Sequence, residues 1–112
     1  MKARPDTTAI QDLAYNTAAS GGDSVIDLAA ADGEYHVLDW IIWSYAADPT
    51  NGALVVTDTT NNTVKFSVDI TVGGPGELVF GDRGMYPPIK GIALEVKLVD
   101  GDQTKKLNVQ SR

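Results

Sequence analysis

The chain has 112 residues, a formal net charge of −6 and no cysteine. That bounds it to one domain with a core of its own, and excludes disulfide frameworks, thiolate zinc sites and cysteine nucleophiles. No segment offers the basic face that nucleic-acid phosphates require, and the longest strictly apolar run, Trp40-Ile41-Ile42-Trp43, is far below the ~20 residues of a bilayer span.

Residues 1–22 read as an N-terminal arm. Met1-Lys2-Ala3-Arg4-Pro5 has basic residues but no apolar run behind them, unlike a signal peptide. Asp6 or Thr7 can cap a short helix with Ile10, Leu13, Ala14 and Thr17 on one face, while Thr, Ile, Leu and Tyr15 suit an extended strand equally. Ala18-Ala19-Ser20-Gly21-Gly22 reads as a joint. The arm docks either on its own domain, expected over residues 23–112, or on another subunit.

Residues 24–29 make a short strand through Val25, Ile26 and Leu28, and Asp32-Gly33 after it has hairpin chemistry. The stretch 34–45 holds both tryptophans, two of the four tyrosines and the only histidine. At the strand period, one face carries His36, Leu38, Trp40, Ile42 and Ser44; the other carries Tyr35, Val37, Asp39, Ile41, Trp43 and Tyr45. Neither face is polar, and a strand apolar on both sides is covered on both sides. One cover is the second sheet of the domain. The other is the arm or a second subunit.

Asp48-Pro49-Thr50-Asn51-Gly52 is a turn, residues 53–58 the next strand, and Thr59-Thr60-Asn61-Asn62 a second turn. Residues 63–71 alternate cleanly, with Val64, Phe66, Val68 and Ile70 expected inward against Lys65, Ser67, Asp69 and Thr71. Gly73-Gly74-Pro75-Gly76 breaks the pattern before a short strand at 77–80. Residues 92–99 and 105–110 are the last strands, turned by Asp100-Gly101-Asp102. Seven to eight strands at spacings of about ten residues predict an all-β fold: an antiparallel β-sandwich, jelly-roll-like, with an N-terminal arm.

Chemistry is sparse. His36 has no serine or cysteine nucleophile beside it, and reads as a packing or interface histidine. Asp39, set among apolar neighbours, needs a partner such as Arg4, Arg83 or a backbone N–H. Pairing it with Asp69 or Glu95 as in a glycosidase conflicts with the solvent faces expected for both. The acidic turns at 32–34 and 100–102 lack a full calcium loop. No catalytic, cofactor or metal site is expected. Contact residues are a better bet: Arg83, Met85, Tyr86, Pro87 and Pro88 in the loop 81–88, the aromatic Trp40, Trp43 and Tyr45, and Ile10, Leu13 and Tyr15 of the arm.

The run Gly21-Gly22-Asp23-Ser24-Val25-Ile26-Asp27-Leu28, followed by Ala30-Ala31-Asp32-Gly33-Glu34-Tyr35-His36-Val37-Leu38-Asp39, resembles small virion proteins of tailed bacteriophages. In these a short strand leads through an Ala-x-Asp-Gly turn into a long aromatic strand. An Asn/Thr-rich hairpin and a proline-bearing loop then precede a last strand. The resemblance spans roughly residues 21–110 and carries no catalytic residues. It implies a jelly-roll-like structural protein, made in the host cytoplasm, that decorates or cements the capsid surface. The implied partners are copies of itself, often as a trimer, and the major capsid protein or another virion protein. Two other functions are weighed: a glycan- or receptor-binding module of a head fibre or tail tip, and, more remotely, a carbohydrate-active enzyme.

Overall fold

Among the residues described by the computed structural model (12–30, 36–80 and 91–111) the chain makes eight strands. In order they are β1 (Asp12–Ala18), β2 (Ser24–Leu28), β3 (Leu38–Tyr45), β4 (Gly52–Asp58), β5 (Thr63–Ile70), β6 (Gly74–Val79), β7 (Leu94–Leu98) and β8 (Lys105–Ser111). They form two antiparallel sheets with strand orders β1-β8-β3-β6 and β2-β7-β4-β5. Strand β1 pairs with β8, β2 with β7, β3 with β6 and β4 with β5. That is one long hairpin, turned at residues 59–62 and rolled so that its pairs alternate between layers. The sandwich is a jelly roll.

Inward positions of both sheets fill the core between them: Leu38, Ile41 and Tyr45 of β3 and Leu107 and Val109 of β8 face Ile26, Leu54, Val56, Leu94, Val96 and Leu98. The alternation read from the sequence holds along β4, β7 and β8, whose burial switches at every residue. It fails at two bulges. In β3 the register against β8 slips between Leu38 and Trp40, so Asp39 is an extra residue. Leu38 therefore turns inward with Ile41, Trp43 and Tyr45, rather than outward with Trp40. In β5 the register slips at Lys65, which puts Val64 outside and 58% exposed, not in the core.

Three further expectations change. Residues 12–18, read as part of the arm, are a full strand paired in register with β8, so this part docks on its own domain. Residues 1–11 fall outside the described residues. Strands β2 and β3 lie in different sheets and do not pair, so they are not the two arms of a hairpin; the Asp32-Gly33 turn itself is outside the described residues. Strand β6 starts at Gly74, within the glycine-proline break. It is an edge strand, where Pro75 costs no ladder bond.

One end of the roll is stitched by its loops. Asp100 accepts from the Gly21 N–H at 2.8 Å, and Asp23 accepts from the Asp100 N–H at 2.8 Å. Asp48 accepts from the Gly73 N–H at 2.8 Å. The Lys105 ammonium, fully buried, donates to Ala19 O at 3.0 Å, to Gly22 O and to Asp100 at 3.3 Å. Three donors meet three acceptors, which is what makes a buried lysine tolerable. The Gly21 N–H and the Lys105 ammonium hold the Asp100 carboxyl below the usual range. Burial raises the pKa of the Tyr45 hydroxyl, which donates to Val99 O. Along the open side, Asn16 of β1 accepts from the Ser24 hydroxyl at 2.6 Å and from the Val25 N–H at 3.2 Å, sewing one sheet to the other.

Candidate functional site

The candidate site is the outer face of the β1-β8-β3-β6 sheet. Strand pairing sets its side chains in three rows. The first is Leu13, Gln110, Trp40, Val79; the second Tyr15, Asn108, Ile42, Glu77; the third Thr17, Lys106, Ser44, Pro75. Leu13 and Val79 are each 67% exposed and Tyr15 58%, with Ile42 at the threshold of exposure and Trp40 half-buried. Polar amides run down the middle on β8, flanked by apolar and aromatic side chains. A depression of about 340 Å³ lined by Ile42, Pro75, Gly76 and Glu77 opens on the same face. Among the described residues, the three rows hold one cation, Lys106, and one anion, Glu77.

The other outer face differs in kind. Its rows are Asp27, Glu95, Thr57, Val64 and then Val25, Lys97, Val55, Ser67, with Ala53 and Asp69 beyond. Glu95 and Lys97 sit 3.9 Å apart there, and Asp27 faces Glu95 across the ladder. Asp69 and Glu95 thus project from the opposite sheet to Asp39, across a sandwich about 10 Å thick. The glycosidase-like pairing of these carboxylates is not assembled.

Of the residues expected at contacts, Leu13, Tyr15 and Trp40 lie together on the outer face described first. Trp43 and Tyr45 do not join them. The Trp43 ring packs on the core and lies over Gly76, where a Cβ would come within 2.5 Å of it. Tyr45 is buried in the core. Ile10, Arg83, Met85, Tyr86, Pro87 and Pro88 fall outside the described residues. Val79, Glu77 and Lys106 complete the face but were not singled out from the sequence, because only strand order places them beside Trp40. His36 is occupied by the fold: its Nε2 lies 2.6 Å from Ala29 O, an N–H donated to the end of β2. The Asp100–Asp102 turn is likewise committed, its first carboxylate to Gly21 and Lys105. Among the described residues no cluster of three or more His, Asp or Glu could hold a metal.

No protein-family model matches the chain, and no curated protein matches its sequence. Solved structures with a similar course of chain include a Streptococcus pneumoniae fucose binding module (13% identity, 85% of this chain and 70% of that one, TM-score 0.48). Another is that of the Bacillus endospore appendages, disulfide-linked pili (12%, 99% and 91%, TM-score 0.45). A third is the Macrobrachium rosenbergii extra small virus VLP (6%, 98% and 82%, TM-score 0.35). At these identities and scores none assigns a function.

Proposed function

We propose that the chain is a structural protein of a tailed-phage particle, an outer capsid decoration protein that acts by surface contact and not by catalysis. One observation carries this reading: a sheet face with Leu13, Tyr15, Trp40, Ile42 and Val79 turned outward, on a domain whose own second sheet covers only the other side. An apolar face of this kind marks a contact surface. The resemblance of residues 21–110 to small phage virion proteins supplies the setting. Repeated copies on a lattice would sum individually weak contacts into firm attachment. The test is cosedimentation of the purified protein with shells assembled from the major capsid protein of the same genome. Saturable binding at a fixed ratio to shell subunits is the expected result; protein that stays in the supernatant at every concentration contradicts the proposal.

A second reading, a glycan-binding module, is favoured by Trp40 standing outward beside Gln110 and opposite Val79, an aromatic platform next to an amide. It requires Trp40 to stay open to solvent in the assembled protein, so strong acrylamide quenching of the assembly would favour the glycan reader.

A further inference from the structure

We infer that the outer face of the β1-β8-β3-β6 sheet pairs with a second copy of this chain about a two-fold axis lying obliquely over β8 and β3. The inference rests on the reading of this face as a contact surface, and it names the occupant as a second copy, so that this face joins copies into a multivalent layer on the shell and does not itself lie on the shell.

The ladder supplies the geometry. Tyr15 on β1 and Trp40 on β3 are two strands and one row apart; so, in the same direction, are Lys106 on β8 and Glu77 on β6. With strands about 4.8 Å apart and same-face residues about 6.8 Å apart along a strand, both separations are about 12 Å and the two lines are parallel. The midpoint of the first lies over β8 between Gln110 and Asn108, that of the second over β3 between Ile42 and Ser44. The line joining these midpoints is perpendicular to both at those spacings. A single two-fold along it therefore lays Trp40 of each copy over Tyr15 of the other, and Lys106 of each over Glu77 of the other. The same patch meets itself, as a two-fold contact requires.

Charge favours this face over its counterpart. The chain as a whole carries −6, so two copies repel unless they meet where charge balances. The face with Lys106 and Glu77 balances and is self-complementary; the opposite sheet presents Asp27, Glu95 and Asp69 against Lys97 and the exposed bulge residue Lys65, an excess of acid. Four strands of about seven residues give a flat face of about 19 by 23 Å, so two copies cover about 900 Å² between them. That is the size of a weak interface, not an obligate one. The pairing is therefore expected to depend on concentration, and to be strengthened where copies are held close together.

Sedimentation velocity on the full chain from about 1 μM to about 1 mM reads the result directly. The expected mass rises from one chain towards two. Lys106→Glu or Glu77→Lys, each at an exposed position, should hold the protein at one chain, because each sets like charges opposite each other. An equimolar mixture of the two variants should regain association, since each then supplies the charge the other lacks; so should both substitutions in one chain. A wild-type protein that stays monomeric throughout, a limiting mass of three chains, single variants that associate like wild type, or a mixture that fails to regain association would each overturn the pairing. Shell cosedimentation separates this from the proposed function: a monomer that still binds shells removes only the pairing, and a dimer that ignores shells removes only the decoration role.

Discussion

The two sheets of the sandwich enclose the same core and turn different surfaces outward. On the β2-β7-β4-β5 side the outward residues mix charged and small polar side chains, Asp27, Glu95, Lys97, Ser67 and Asp69, with the short aliphatic Val25, Val55 and Val64, and carry no aromatic ring. On the β1-β8-β3-β6 side they are Leu13, Tyr15, Trp40, Ile42 and Val79 around a strip of amides. Core packing cannot explain the difference, because it is satisfied by the inward residues of each sheet. The inward alternation specifies the fold, and the outward one is free to specify something else. On one side it specifies hydration, and on the other we read it as contact.

Strand β8 offers the sharpest way to probe that division, because adjacent lysines point opposite ways. Lys105→Met leaves Ala19 O, Gly22 O and Asp100 without their buried donor, and should destabilise the protein by about 2–4 kcal/mol in chemical denaturation. Lys106→Met should change stability by less than about 0.5 kcal/mol while weakening self-association. Equal costs at both positions would break the inside–outside division of this strand. Next in size is Gly76→Ala, whose Cβ would meet the Trp43 ring at 2.5 Å. It should cost about 1–3 kcal/mol and loosen the edge strand carrying Glu77 and Val79; a shift in the denaturation midpoint checks it.

Acid should act at both ends of the roll together. Asp100, held down by the Gly21 N–H and Lys105, and Asp58, held down by the Asn61 side-chain amide and then by its N–H, both have folded pKa values lowered from their ordinary ones. Their contribution is full at neutral pH and is lost as pH falls through those folded values, below the usual carboxylate range. A thermal midpoint followed from pH 7 downward should fall there, and Asp100→Asn should shrink the fall by removing its share. A midpoint independent of pH through that window would contradict the roles of both loops. The smallest effect is expected from Ser67→Arg on the charged face, where neither denaturation midpoint nor solution mass should move.

Much of this was legible in the chain. Valine and leucine at every second position mark β4, β7 and β8, and glycine, proline and asparagine mark their ends. Trp40 and Ile42 announce an apolar outer face because their period opposes that of Ile41, Trp43 and Tyr45. What escaped was whatever depends on register. A bulge leaves no mark in composition, so Leu38 and Val64 exchanged inside and outside relative to the plain alternation. Strand β1 reads equally as helix or extended arm because Ala14, Asn16 and Ala18 are weak core signals; its place is decided by pairing with β8 and by Asn16 accepting from Ser24. The buried lysine was invisible for a similar reason. Lys105-Lys106 looks like any solvated pair until the loop carbonyls of Ala19 and Gly22 close over one of them.

The most direct test of the contact face is a matched pair of arginine substitutions read by shell cosedimentation. Trp40→Arg lies on one outer face and Val55→Arg on the other, both at half-buried positions that point away from the core. The account predicts that Trp40→Arg folds but no longer sediments with shells, while Val55→Arg binds as the wild type does. Loss of binding by Val55→Arg with retention by Trp40→Arg would contradict it, and would place the contact on the charged sheet.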